Sequence, residues 1–222
     1  MTRNDLARMI DHSVLKPEAT LRDVRAGADI VRQWNIGFYC VQPYWVALAV
    51  EALADADASV VSVIGFPHGC DRRDVKARGA ALAVAEGARE IDMVLNFGAL
   101  KSGDAMAAAD DIEAVVREVP GIPVKVILET GALTENEKTL ACRLTRDAGA
   151  SFVKTSTGFH PAGGATIADV RLLRTAVGPD FGVKASGGIR ALADALAMID
   201  AGANRIGTSA SVEILGALRG TD

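Results

Sequence analysis

The chain has 222 residues, half of them hydrophobic, and a formal net charge of −4. With no run of five or six like charges, this balance argues against nucleic acid or an anionic membrane surface as a partner. No apolar stretch approaches the roughly 18 residues of a membrane span, and the N-terminal MTRNDLARMIDH mixes in charges where a secretion signal needs an apolar core, so the expected location is cytoplasmic.

Short runs rich in β-branched residues recur along the chain, each separated from the next by a longer segment with helical spacing of Ala, Leu and Val. They predict strands at residues 9–12, 37–42, 59–65, 90–97, 123–129, 151–155, 182–186 and 205–208, with helices of about ten to eighteen residues between them. Thr134, with Glu137 three residues on, resembles a capping box, and Ala-Gly-Ala at 148–150 and 201–203 resembles a helix stop feeding the next strand. A helix in every crossover makes neighbouring strands parallel and the connections right-handed. No linker or low-complexity tract interrupts the pattern. One α/β domain over 1–222, a (β/α)8 TIM barrel of near-minimal size, explains the eight units; an open doubly wound sheet is the alternative.

Period-two arithmetic places charges where a core belongs. In EIDMVLNF, Asp92, Val94 and Asn96 share a face; in PVKVILET, Lys125, Ile127 and Glu129 do; SFVKTS sets Phe152 beside Lys154, and FGVKAS sets Gly182 beside Lys184. Buried charges need partners. The bland reading is a buried ion-pair network or strand-end lysines reaching water. Four charges at equivalent places on successive strands favour a polar pocket at the strand C-termini, where barrels of this kind keep their active sites. Lys125 is expected to pair with Asp92 and keep it ionised. Lys154 and Lys184 fall on adjacent strands, roughly 5 Å apart laterally. Two ammonium groups that close repel by roughly 3 kcal/mol at an effective dielectric near 20. The like charge and burial together are expected to leave one of them a neutral, nucleophilic amine.

The last three strands run into small-residue loops, STGF (156–159), SGGIR (186–190) and GTSA (207–210). Bare backbone N–H groups beside helix starts suit a phosphate dianion, although tight βα turns alone would read the same way. Arg190 either adds charge there or faces solvent. His12, His68 and His160 are too scattered for a metal site, and no G-x-S-x-G elbow or nucleotide-binding glycine motif occurs. Cys40, Cys70 and Cys142, with no CxxC, fit reduced thiols.

The stretches IDHSVLKPEAT, GFPHG, EIDMVLNFGAL, VKVILETGALT, FVKTSTGF, GGAT and GVKASGGIR together resemble the deoxyribose-phosphate aldolases, class I aldolases on a (β/α)8 barrel, over nearly the whole chain. The resemblance implies reversible cleavage of 2-deoxy-D-ribose 5-phosphate to D-glyceraldehyde 3-phosphate and acetaldehyde through a lysine Schiff base, in deoxynucleoside breakdown, without a metal or other cofactor. It implies Lys154 as the Schiff-base lysine, Lys184 as its activating neighbour and Asp92 in proton transfer. It places phosphate contacts at Gly158, Gly187, Gly188, Gly207 and Ser209. Lys125 and Asp11 are expected in support. The expected partners are small phosphorylated sugars and aldehydes; the sequence does not disclose the oligomeric state, although many enzymes of this kind form homodimers. Gln42-Pro43 stands where family members often carry Asn-Pro, Ala210 stands where a second serine often follows GTS, and the His160-Pro161 loop has no clear counterpart. Two other readings are an aldolase for a different sugar and a non-catalytic barrel that binds a phosphorylated metabolite.

Overall fold

In a computed structural model of the chain, residues 1–218 are described; residues 219–222, the end of the expected domain, lie outside them. The β-branched runs form strands β1 (Ile10–Val14), β2 (Phe38–Val41), β3 (Ser59–Ile64), β4 (Glu90–Val94), β5 (Val124–Ile127), β6 (Phe152–Lys154), β7 (Gly182–Ser186) and β8 (Arg205–Thr208). Each pairs in parallel with the next, and β1 with β8, so the sheet closes in sequence order. The (β/α)8 barrel is thus the fold and the open sheet is excluded.

Two expected strands end early, and both endings matter. At 90–97 the ladder stops at Val94 because Asn96 turns to cap a helix, its side chain accepting from the Ala99 N–H at 3.1 Å. At 123–129 it stops at Ile127, and Glu129 takes left-handed backbone (φ 58°). Neither Asn96 nor Glu129 therefore joins its strand's charged inner face, as alternation alone had placed them.

The helices are α1 (Arg3–Arg8), α2 (Leu21–Gln33), α3 (Val46–Ala52), α4 (Arg73–Ala85), α5 (Phe97–Lys101), α6 (Ala105–Glu118), α7 (Glu135–Asp147), α8 (Ile167–Val177), α9 (Leu192–Asp200) and α10 (Ser211–Ala217). Several are shorter than the expected ten residues. Pro43 starts a 3₁₀ turn over Pro43–Trp45 that consumes the front of the α3 segment, and Gly103 ends α5 so that Asp104 can cap α6 afresh. The Thr134–Glu137 capping box is present, and Ala148 and Ala201 end α7 and α9 as expected. Helix α1, which no expectation covered, has the same reciprocal box from Thr2 and Asp5. None of these helices is long and apolar enough to cross a membrane.

Alternation sorts the strand residues into two interiors. Ile91, Met93, Val126, Val153, Val183 and Ile206 point outward to the helices and join the large apolar core. Cys40, Val61 and Val63 form a small apolar cluster inside the barrel with Phe38. Register then carries that inner face from Val63 across to Asp92, Lys125 and Phe152, and from Lys154 to Lys184 and Arg205. Gly182 is small for a packing reason: a Cβ there would lie 2.2 Å from the Phe152 ring.

Behind the barrel, α4 and α6 share a buried pair. Lys76 Nζ donates to Asp111 Oδ2 (2.6 Å), to the Gly69 carbonyl (2.7 Å) and to the Val94 carbonyl (2.9 Å). One ammonium thereby ties the β3–α4 loop to the end of β4.

Candidate active site

The inner face holds a continuous charge network. Lys154 Nζ, at the end of β6, donates to Asp92 Oδ2 at 2.7 Å, and Lys184 Nζ from β7 donates to the same oxygen at 2.7 Å. Their separation is therefore at most twice that distance. Lys125 donates to Asp92 Oδ1 at 2.8 Å and reaches Glu90 at 2.5 Å. Lys184 also donates to Asp11, and Arg205 bridges Asp11 (2.9 Å) and Glu90 (3.0 Å). The Arg205 guanidinium stacks 3.3 Å from the centre of the Phe38 ring, flooring the network from below.

Burial sets the protonation states. Lys154 is held below its ordinary value, first by desolvation and further by the Lys184 ammonium, while Asp92 pulls the other way. For Lys184 burial again disfavours charge, but Asp11 and Asp92 outweigh it and raise the value. Asp92, buried yet facing three ammonium groups, is held well below the carboxylate range, and Asp11 is lowered by Lys184, Lys125 and Arg205 against its burial. Two neighbouring lysines are thus driven in opposite directions. Both expected causes, burial and the like charge, act on Lys154; desolvation is the larger, and Asp92, placed between the amines, moderates their repulsion.

The network opens upward into a cleft of about 290 Å³ lined by Asp11, Lys154, Lys184 and Cys40 below and by the three small-residue loops above. Gly158, Gly187, Gly188, Gly207 and Ser209 all line it. Hydroxyl groups bind these loops together. Thr155 Oγ1 donates to the Ser186 carbonyl (3.1 Å) and accepts from the Ser186 N–H (3.0 Å), while Thr208 Oγ1 donates to the Ile189 carbonyl (2.7 Å). Gly187, at φ 90°, lies against Gly158 and Gly164, where a Cβ would come within 3.0 Å of the Gly164 Cα. The expected geometry needs one correction. The SGGIR and GTSA loops run straight into α9 and α10 through their N-caps Ala191 and Ala210, whereas α8 begins at Ile167, well past Gly158. Gly158 is therefore placed by neighbouring loops and not by a helix start.

Residues that sequence reasoning singled out thus come together: Lys154, Lys184, Asp92, Lys125 and Asp11 in the network, and the glycines and Ser209 in the loops. Arg190 lies on the rim, exposed. Ala210 caps α10, its N–H donating to Thr208 Oγ1 at 2.9 Å. Gln42 braces the loop after β1 by donating to the Leu15 carbonyl at 3.0 Å. His160 and Pro161 line a neighbouring depression with His68, Phe97 and Phe159. Cys40 faces the cleft, but burial pushes its thiol up to about 11, which fits an inert thiol. His12 points away, its Nδ1 2.9 Å from Ser211 Oγ.

Sequence reasoning did not find Glu90 and Arg205, which open their strands and read as ordinary edge charges. Alternation back from Asp92 was the available signal for Glu90. Lys16 and Thr157 also line the cleft; both lie inside stretches singled out in the sequence, IDHSVLKPEAT and STGF, without being named there as site residues.

Comparison with known proteins agrees with this geometry. A family model described as DeoC/LacD family aldolase matches residues 6–220. The deoxyribose-phosphate aldolase of Enterococcus faecalis is 52% identical over 97% of this chain and 98% of its own, and that of Thermococcus gammatolerans is 52% identical over 100% of both. Among solved structures, an aldolase called QR15 superposes with a TM-score of 0.91 at 40% identity, covering 96% of this chain and 95% of that one. The tetrameric deoxyribose phosphate aldolase from Aeropyrum pernix does so with 0.89 at 33% identity, covering 97% and 91%. With motifs, barrel and sequence in agreement along nearly its whole length, the chain belongs to the DeoC/LacD aldolase family, among its deoxyribose-phosphate aldolases.

Proposed function

We propose that the protein reversibly cleaves 2-deoxy-D-ribose 5-phosphate to D-glyceraldehyde 3-phosphate and acetaldehyde through a Schiff base on Lys154. The observation that carries this is the buried amine of Lys154, depressed in basicity and sharing Asp92 with a second lysine whose basicity is raised. The Lys154 amine attacks C1 of the open-chain aldehyde, and loss of water gives an iminium. Asp92, through a bridging water, takes the C3 hydroxyl proton as the C2–C3 bond breaks, and the bond's electrons flow into the iminium to leave an enamine and glyceraldehyde 3-phosphate. Protonation at C2 and hydrolysis then release acetaldehyde and restore the amine.

With the Lys154 nitrogen no longer an ammonium, Asp92 still accepts from the charged Lys125 and Lys184, which weaken it as a base and make the bridging water necessary. Its role is that of an anion through which protons pass, with water bridging to the substrate hydroxyl. Lys184 stays charged, which keeps Lys154 depressed. Lys125 and Asp11 hold Asp92 and Lys184 in place. The phosphate rests on the backbone of Gly158, Gly187, Gly188 and Gly207 and on Ser209, with Lys16 and Arg190 at the rim adding positive charge. All three cysteines are free, two of them buried, which supports the reducing cytoplasm as the place of action.

Borohydride added with acetaldehyde tests the chemistry. Reduction of the iminium is expected to leave a stable two-carbon adduct on Lys154, located by mass spectrometry. No adduct, or one on another lysine, would overturn the assignment and favour a barrel that only binds. Retro-aldol rates over a panel of phosphorylated aldoses and ketoses test the sugar.

A further inference from the structure

Glu129, just past the end of β5, is buried but stands outside the charge network of the barrel's inner face. This carboxylate is 1% exposed and, among the described residues, accepts from Thr157 and pairs with no cation. Its oxygens accept from Thr157, through the backbone N–H at 3.3 and 3.4 Å and through Oγ1 at 2.5 Å. Thr157 Oγ1 in turn accepts from the Phe159 N–H at 3.0 Å. The residues that follow Glu129 press on the same loop: the Thr130 N–H donates to the Thr155 carbonyl at 2.9 Å, and a Cβ on Gly131 would come within 3.0 Å of the Ala162 carbonyl oxygen. Glu129 reaches Thr157 from left-handed backbone, which a non-glycine residue rarely occupies.

A buried carboxylate without a cation persists where its hydrogen bonds stabilise it. Here the donors belong to the residue immediately before Gly158. We infer that Glu129 is a positioning residue for the phosphate cup: through Thr157 it fixes the turn that presents Gly158 to the ligand, without itself touching substrate. The inference rests on the phosphate reading of the small-residue loops given above. Glutamine at 129 keeps the size of the side chain but replaces one acceptor oxygen by an NH₂ group that faces donors. The loop should then lose its setting while the lysine network below keeps its own.

The test compares wild type with Glu129→Gln in two measurements, affinity for inorganic phosphate by titration calorimetry and the rate of borohydride-trapped acetaldehyde adduct on Lys154. Phosphate affinity is expected to fall about tenfold, the scale of one charge-assisted hydrogen bond, while the adduct rate, which involves no phosphate, changes far less. Thr157→Val provides a second route should Glu129→Gln fold poorly, and it is expected to weaken phosphate binding in the same direction. Unchanged phosphate affinity in a folded variant, or a parallel loss of affinity and adduct, overturns the role of Glu129 while leaving the cup intact. Wild type that binds no phosphate overturns the cup itself and this inference with it.

Discussion

At the scale of single residues, function rests on how differently two lysines are treated. Both amines touch one oxygen of Asp92, yet only Lys184 also holds Asp11, and that second carboxylate separates their basicities. Lys154→Arg is expected to abolish retro-aldol turnover to background, because a guanidinium does not become neutral; a steady-state assay at saturating substrate checks this. Lys184→Met removes the cation that helps depress Lys154 and leaves Asp92 free to raise it. The acid limb of the kcat/KM profile is therefore expected to move to higher pH, and an unmoved limb would remove Lys184 from this role. Much of this was legible in the sequence, since a lysine in a β-branched run stands out against the cost of burying it. The balance of causes was not. Alternation says which residues share a face, but the mediating position of Asp92 and the grip of Asp11 on Lys184 depend on register across strands that lie far apart in the chain.

At the scale of elements, strands were easier to read than their connections. All eight lie where the β-branched runs put them, because a parallel barrel strand is buried on both sides and its composition records that. Short helices and loop braces escaped because they depend on single residues: Pro43, Gly103, and the left-handed turn at Glu129. The same holds for the clamp between α4 and α6, where Lys76 and Asp111 look like surface charges of amphipathic helices until packing buries them. Asp111→Ala leaves the Lys76 ammonium buried with only carbonyl partners. It is expected to cost about 3 kcal/mol of stability by denaturant titration, and to loosen the β3–α4 loop in hydrogen exchange. Thr134→Ala, which removes one exposed cap of α7, is expected to cost only about 1 kcal/mol.

At the scale of the whole molecule, the buried groups set how stability depends on pH. Burial pushes His12 down to about 4, whereas an unfolded imidazole binds its proton near 6.5. Between these values the unfolded chain carries a proton that the folded one refuses, so stability is expected to decline by roughly 3 kcal/mol as pH falls through that window. His12→Gln should flatten the decline, as equilibrium unfolding at pH 7 and pH 4.5 would show. Asp11 and Asp92, held low in the fold, add stability that is present above the ordinary carboxylate range and lost only at still lower pH, as they protonate in the native state. Lys184 has the opposite sign: its contribution is complete below the unfolded lysine value and disappears only in strong alkali. One arithmetic property of the barrel interior follows from its ion pairs. Four bases, Lys125, Lys154, Lys184 and Arg205, surround three acids, Asp11, Glu90 and Asp92. Such a set is electroneutral only when one base has shed its proton, and a covalent iminium on Lys154 would restore the single surplus positive charge at the atom that gave it up.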